Sequence, residues 1–253
     1  MIFELPLNEH VRSCLRLESA FRAIEAFIEH PSIWGSKASI EHLNDIVDIL
    51  DRSDLRKKLA QELNRLINYF DRLSQSPDVD TTAIAALQTD LARCFSLLEG
   101  SNDKFAKPLR GNEFLAHVHH HQQMPGGVPL VNTPALQLWL EMPANVRNHD
   151  LRNWMKAVTD INEVSLLLLD LLRRSSPPQS FTANAGFYQH SLDSSVNFQL
   201  VQVELADNIQ HLFPQISASR HGISVRFYEF NSTGSIKRQT LDNVDFHMTC
   251  CVI

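Results

Sequence analysis

The stretch VSLLLLDLLRRSSPPQS, residues 164–180, divides the chain into two kinds of sequence. Its first half is apolar enough for a buried helix, and Ser175-Ser176-Pro177-Pro178 ends that helix because proline lacks a backbone donor and clashes with the preceding turn. Before this boundary apolar residues recur every three or four positions, whereas after residue 180 they alternate with polar ones. The pattern predicts an α+β protein, with an N-terminal multi-helix domain and a mostly antiparallel β-sheet domain from the C-terminal segment.

On the N-terminal side of this boundary, helical spacing is interrupted by turn and breaker residues. A helix from Asn8 ends at His30-Pro31, and two helices within 37–75 break around Asp51–Asp54. Further helices are predicted at 81–98, 105–123 and 147–174. Residues 125–143 carry proline and glycine on both sides of a short apolar run, which predicts a short strand at 136–141.

On the C-terminal side, four alternating runs are separated by polar or glycine-containing turns. The predicted strands are 187–192, 198–205, 223–230 and 244–253. Four strands in succession favour an antiparallel meander, and the short segment 2–7 is expected to join the same sheet. The predicted helical domain is 8–124 plus 145–176, and the predicted strand domain is 1–7, 125–144 and 180–253.

Composition narrows the class of function. The chain has 253 residues, a formal net charge of −6 and a pI near 6.0, which argues against a protein wrapped by nucleic acid. The longest apolar run, at 164–172, contains Asp170 and is shorter than the roughly 20 residues that cross a bilayer, so no membrane association is expected. With no signal-like N-terminus and four scattered cysteines, the expected location is a reducing cytoplasm.

The ending Cys250-Cys251-Val252-Ile253 matches the C-a-a-X prenylation pattern. The same residues continue the alternation of the last strand, and no polybasic stretch precedes them. We therefore interpret them as strand residues, with lipid modification at Cys250 as the alternative.

A histidine cluster supplies the main alternative class, a metal-binding protein or an enzyme that uses residues 117–121. His117 and His121 share a helical face, but no acidic residue lies between them as in an H-E-x-x-H site. A stripe of Asp45, Asp48, Asp51 and Asp54 could serve acid-base chemistry or a hard metal, but we interpret it as the solvated face of a helix with basic residues nearby. No G-x-S-x-G or catalytic cysteine signature is present, so we predict no enzyme, cofactor or metal.

The basic residues after position 180 favour a binding role. Arg220, Arg226, Lys237 and Arg238 are the only lysines or arginines there. Because arginine binds carboxylates bidentately while its stem covers apolar surface, such a patch suits a short acidic and hydrophobic peptide. Ordinary surface cations are the alternative interpretation.

Several stretches together resemble the ZapD family of bacterial cell-division proteins. They are PLNEHVRSCLRLE at 6–18, PGGVPLVNTPALQLWLEMP at 125–143, GFYQ at 186–189, LFPQIS at 212–217, VRF at 225–227 and VDFHMTCC at 244–251. The resemblance implies a helical domain, a β domain and a homodimer. It also implies binding to the C-terminal tail of the tubulin-like GTPase FtsZ, with cross-linking or bundling of FtsZ filaments at the mid-cell division site.

The resemblance also suggests which residues bind the tail. Arg226 keeps the family's Arg-Phe pairing, whereas Gly222 stands where some relatives have a second arginine, which Arg220 would replace. Arg52 matches another basic family position, with Arg56 nearby. We therefore expect the acidic groups of the FtsZ tail to meet a set of basic residues. That set is Arg226, Arg220, Arg52, Arg56, Lys237 and Arg238.

Overall fold

A computed structural model describes residues 1–52, 54–76, 80–100, 106–122, 130–209, 211–219, 221–230 and 238–252. The chain divides into two compact units. Met1–Arg12 and Leu169–Ile253 form the strand unit, and Ser13–Leu168 form the helical unit. This arrangement confirms the predicted α+β class.

The helices follow the predicted pattern closely. Their bounds are α1 Glu9–Glu29, α2 Ile33–Arg52, α3 Leu55–Leu73, α4 Thr81–Gly100, α5 Lys107–Arg110, α6 Glu113–Gln122, α7 Pro134–Glu141, α8 Ala144–Met155 and α9 Thr159–Arg173. Short 3-10 turns occupy Leu130–Asn132 and Lys156–Val158. The predicted break between α2 and α3 is confirmed. Within the described ranges, no helix is long and apolar enough to cross a bilayer.

The segment predicted as a strand at 136–141 is helical instead. Leu136, Trp139 and Leu140 are all buried, and their i, i+3, i+4 spacing puts them on one helix face. Pro134 lies in the first turn, where the missing donor costs nothing. Residues 130–144, which the sequence pattern assigns to the strand domain, therefore lie in the helical unit.

The strand unit contains two antiparallel sheets. The strands are β1 Ile2–Pro6, β2 Gln179–Ala183, β3 Phe187–Ser191, β4 Phe198–Glu204, β5 Leu212–Ser219, β6 Gly222–Glu229, β7 Arg238–Gln239 and β8 Val244–Val252. The first sheet has the order β1-β4-β8-β2. The second has the order β3-β6-β5, and β7 also pairs with β6.

This topology corrects the predicted meander. The four strands that the sequence predicts alternate between the sheets: β3 and β6 pair in the second, whereas β4 and β8 pair in the first, where β4 also pairs with β1. The reason is that each sheet buries one face against the other, a requirement that alternation within single strands does not reveal. The prediction that residues 2–7 join the later strands is confirmed by the pairing of β1 with β4.

Side chains from the inner faces of both sheets form one core. Val201 and Val203 on β4, Val225 and Phe227 on β6, and Phe246 on β8 belong to a single buried cluster. The rings of Phe227 and Phe246 lie 5.2 Å apart across the two sheets. Phe227 therefore holds the second sheet on the first.

Replacing Phe227, which is 0% exposed, with alanine should lower the free energy of unfolding by about 3–5 kcal/mol because it leaves a cavity between the sheets. Phe230→Ala is the matched control, since Phe230 is 68% exposed and should cost roughly 0.5 kcal/mol or less. Urea unfolding followed by circular dichroism measures both. Equal losses would contradict this account of the core.

Candidate functional site

Strand β6 presents Arg226 on the outer face of the second sheet. Val225 and Phe227 point into the core, so the period of two turns the intervening arginine outward. Arg226 is accordingly exposed. Its neighbours across the sheet are Phe187 on β3 and Gln215 on β5.

A tight corner fixes Phe187 against Arg226. Ala185 and Gly186, with φ of 48° and +68°, take the chain from β2 in the first sheet to β3 in the second. A Cβ on Gly186 would come within 2.5 Å of the Thr240 carbonyl oxygen, so glycine is required there. The Phe227 amide donates to the Gly186 carbonyl at 2.9 Å and sets the register of the two strands.

The guanidinium of Arg226 lies over the ring of Phe187. The distance from Cζ to the ring centroid is 5.0 Å, within the range of a cation–π contact. Stacking on the ring limits the rotamers of the arginine and leaves the edge of its planar fork available to a carboxylate.

Two further aromatic side chains lie on the same face. Phe213 on β5 and Tyr228 on β6 are direct cross-strand partners, and their rings stack at 5.9 Å with an angle of 26° between the planes. Both are partly exposed. We call Phe187, Phe213, Gln215, Arg226 and Tyr228 the arginine–aromatic face.

The arginine–aromatic face combines one cation with apolar surface. Among the described residues, no carboxylate forms an ion pair with Arg226, and the strand positions that share its face on β3, β5 and β6 carry no Asp or Glu. The face can therefore accept a carboxylate on Arg226 and an apolar side chain on the neighbouring rings.

Arg238 lies on the other side of the sheet from Arg226. It is the register partner of Glu229, whereas Gln239 is the partner of Tyr228, so Gln239 shares the outer face and Arg238 does not. Arg226 and Arg238, which the sequence analysis grouped in one basic patch, therefore lie on opposite faces of the sheet. Arg220 and Lys237 lie outside the described residues.

Arg52 and Arg56 belong to the helical unit. Arg52 is the last residue of α2. Arg56, in α3, donates from Nε to the Leu98 carbonyl oxygen at 2.8 Å and so caps the C-terminal end of α4. A cation there satisfies terminal carbonyl groups and meets the negative end of the helix dipole.

The sequence indicated Arg226 but not the rings around it. Phe187 and Phe213 belong to strands that reach Arg226 only through the pairing of β3 and β5 with β6. The sequence carried part of the signal for these rings, because Phe187 in GFYQ and Phe213 in LFPQIS each lie at or next to the start of a strand. The register that brings them together is a tertiary property.

Two aspartates of the stripe on α2 pair with basic groups on α5 and α6. Asp48 Oδ1 lies 3.0 Å from His119 Nε2, and Asp51 forms an ion pair with Arg110. Burial raises the pKa of the Asp45 carboxyl, and His42 opposes that effect. Asp48 and Asp51 thus link α2 to the neighbouring helices, whereas Asp45 lies 3.6 Å from His42 on α2 itself.

The remaining histidines contact one another. The rings of His117 and His121 lie 4.5 Å apart, and His121 Nδ1 is 3.0 Å from the His117 carbonyl oxygen. Across the described part of the chain, no group of three or more His, Cys, Asp or Glu residues has an arrangement that could hold a metal ion. The geometry therefore gives no support to the metal alternative.

The C-terminal cysteines lie within β8, as the strand interpretation predicted. Cys250 pairs with Val201 and is half-buried, and Cys251 pairs with Leu200 and is buried. Burial raises the pKa of Cys250, and it raises the pKa of Cys251 to about 12, with smaller contributions from Cys250 and Glu4. Burial likewise raises the pKa of Cys14 to about 12.

The fold and the face define a two-unit α+β protein with an exposed arginine–aromatic surface on its second sheet. A family model described as ZapD, cell division protein, matches residues 15–226. The chain belongs to the ZapD family of cell division proteins.

Individual relatives match nearly the whole chain. The Coxiella burnetii cell division protein ZapD is 33% identical, over 99% of this chain and 97% of its own length. The Chromobacterium violaceum protein of the same name is 31% identical over 98% of both chains. The one from Methylococcus capsulatus is 29% identical, over 100% of this chain and 98% of its own.

The thiol pKa values predict slow alkylation of the folded protein. At pH 8 a pKa of about 12 leaves roughly one thiolate in 10⁴, whereas an unfolded cysteine of pKa ≈ 8.5 is about a quarter ionised. Cys14 and Cys251 should therefore react with iodoacetamide at least 100-fold more slowly in native protein than in guanidinium. Peptide mass mapping measures each site, and equal native and unfolded rates would contradict the burial of these thiols.

Proposed function

We propose that this protein is a cytoplasmic division factor that binds the C-terminal tail of FtsZ. As a homodimer, it would cross-link FtsZ filaments and support assembly of the Z-ring at mid-cell. The arginine–aromatic face is the proposed site for the tail, and the stacking of Arg226 on Phe187 is the observation that carries the proposal.

Family membership supports cell division as the process in which this protein acts. The relatives that match this chain over nearly its full length are named cell division proteins. The family resemblance of the sequence adds FtsZ as the partner and its C-terminal tail as the segment bound.

The chemistry of the arginine–aromatic face suits a peptide that carries both acidic and apolar residues. A peptide with acidic and apolar residues can place a carboxylate on the Arg226 guanidinium and an apolar side chain against Phe213 and Tyr228. A hydrogen bond to a charged group contributes about 1.5–3 kcal/mol. The chain's formal charge of −6 repels an acidic peptide at long range, so a local cation selects where it binds.

The proposal also includes the other predicted tail-binding residues, which differ in where they lie relative to the arginine–aromatic face. In sequence, Arg220 shortly precedes β6 and Lys237 directly precedes β7, and both would add positive charge to the proposed site. Arg238, on the opposite face of the sheet, would contribute only at long range and therefore weakly. Arg52 and Arg56 would contribute from the helical unit, although Arg56 already caps α4.

A homodimer would explain how this protein could organise filaments by binding alone. Two equivalent tail sites related by symmetry can hold tails from two filaments at once. Each second binding event is then intramolecular, which raises the overall affinity for polymer above the affinity for a single tail.

Deleting the C-terminal tail of FtsZ should abolish co-sedimentation of this protein with GTP-assembled polymer.

Arg226→Glu should weaken binding of the isolated tail peptide at least tenfold at low salt, a change of about 1.4 kcal/mol, because a carboxylate then faces the peptide's own carboxylates. Fluorescence anisotropy with a labelled tail peptide measures the affinity, and circular dichroism confirms that the variant folds.

Arg238→Glu is the charge-matched control, since it makes the same change on the other face of the sheet and should alter the affinity less than threefold. Arg226→Lys should fall between wild type and Arg226→Glu because it keeps the charge and loses the planar fork. Full affinity of Arg226→Glu for the tail would show that the tail binds elsewhere.

Analytical ultracentrifugation should find this protein at twice its chain mass of 28.8 kDa at the concentration that bundles filaments. Bundling should then fall when the protein is diluted below its dimer dissociation constant, while binding of single tails persists. A monomer at bundling concentration would remove the two-site mechanism and leave the tail-binding proposal intact.

A further inference from the structure

Strand β5 forms an open edge of the second sheet. Among the residues that the structure describes, it pairs with β6 on one side and with no strand on the other. Such an edge presents a row of backbone groups that another extended segment can pair with.

The register identifies which backbone groups face outward. Phe230 donates to the His211 carbonyl oxygen at 2.7 Å, whereas Phe227 donates to Gly186 on the side of β3. Even-numbered residues of β6 therefore direct their backbone towards β5, and their partners on β5 are odd-numbered. The amides and carbonyls of Ile216 and Ala218 consequently point to the open edge.

The edge lacks the charged side chains that usually protect such strands. Leu212–Ser219, LFPQISAS, contains no Lys, Arg, Asp or Glu. Its single protective feature is Pro214, which removes one outward-facing donor. The half of the strand from Ile216 to Ser219 keeps its donors.

A cavity adjoins this half of the strand. It has a volume of about 440 Å³ and an uncharged lining of serine, asparagine and apolar side chains. Leu7, Leu192, Val196, Phe198 and Ala218 contribute the apolar part. The volume accommodates one or two side chains of a bound segment.

The core is incompletely covered near the same edge. Phe3 and Leu5 on β1, Leu7 just after it, and Ile216 on β5 pack on the buried cluster while remaining half exposed. β1 and β5 are edge strands of their respective sheets, and they contact each other. An added strand with apolar side chains would complete the cover of these residues.

We infer that a short, extended, uncharged peptide segment of a partner protein docks as an additional strand on β5. Its backbone pairs with Ile216 and Ala218, and an apolar side chain enters the cavity beside Val196 and Phe198. This mode gives affinity through main-chain hydrogen bonds and specificity through a side-chain pocket. The site is distinct from the arginine–aromatic face, because it uses the edge of the sheet, and the described residues of β5 and of the cavity include no Lys, Arg, Asp or Glu.

The same features select a peptide over a second copy of this chain. In a two-fold pairing of β5 with itself centred on Ile216, Pro214 of each copy would face Ala218 of the other and would lack a donor. The uninterrupted edge from Ile216 to Ser219 is long enough for a short peptide anchored by a side chain. It is short for an interface between two protein strands.

The test uses the full chain labelled with ¹⁵N and an acetylated, amidated peptide that alternates threonine and valine around a central leucine. In the free protein, amide exchange at Ile216 and Ala218 should be at least tenfold faster than at Gln215 and Ser217, which bond to β6. Saturating peptide should slow exchange at Ile216 and Ala218 at least tenfold and leave Ser217 unchanged. Absence of peptide binding at millimolar concentration, or binding without this protection, would overturn the inference.

Backbone and side-chain controls sharpen the result. N-methylation of one alternate set of peptide residues should abolish binding, and N-methylation of the other set should not, because only one edge of the peptide faces β5. Ala218→Lys should weaken binding at least tenfold, whereas Ser217→Lys on the outer face should change it less than threefold. Equal effects within either pair would contradict strand addition.

Two further measurements separate this site from its alternatives. Arg226→Glu should leave affinity for the alternating peptide unchanged, so failure of the FtsZ-tail proposal and failure of this one are distinguishable. If the amides of Ile216 and Ala218 are protected in concentrated protein without peptide and become exposed on dilution, a second copy covers the edge and the peptide inference is wrong.

Discussion

The arrangement of the second sheet depends on the inward packing of Val225 and Phe227 on β6. Both side chains are fully buried, and Phe227 meets Phe246 of the first sheet across the core. Because strand side chains alternate, burying these two residues fixes the outward direction of Arg226. A shift of one residue would bury a guanidinium and expose a phenylalanine, so the core excludes that register. The binding face is therefore a consequence of how the sandwich is closed.

The sequence predicted single elements better than their partners. Helical spacing located α1 to α4 within a few residues, and alternation located β3, β4, β6 and β8. It did not predict that these strands divide between two sheets, because each strand pattern reports one buried face and not the element that covers it. The error at 136–141 has a different origin. Flanking prolines there suggested a strand, whereas Pro134 is compatible with a first helical turn and the spacing of Leu136, Trp139 and Leu140 decides for a helix.

The candidate site shows the same division between local and tertiary information. Arg226 stood out in the sequence because cations are scarce after residue 180. Its aromatic neighbours come from strands that the sequence could not pair, and the corner at Ala185 and Gly186 that positions Phe187 uses positive φ at an alanine as well as a glycine. In the helical unit the charge pattern alone did not show which groups pair. Asp48 and Asp51 resemble a site in sequence, yet they meet His119 and Arg110 from neighbouring helices.

The two surfaces of the second sheet would bind their ligands through different interactions, so ionic strength should affect the two differently. Recognition at Arg226 depends on a charge at the surface, so added salt screens it over a Debye length of about 8 Å at physiological ionic strength. Recognition at the β5 edge depends on backbone hydrogen bonds and an apolar side chain, which salt weakens little. A tail at the face and a peptide at the edge would thus respond differently to ionic strength. Because one sheet carries both surfaces, strand addition on β5 would also stiffen the strand that bears Phe213 and Gln215. Any coupling between the two surfaces would then pass through β5, since that strand contributes backbone to one and side chains to the other.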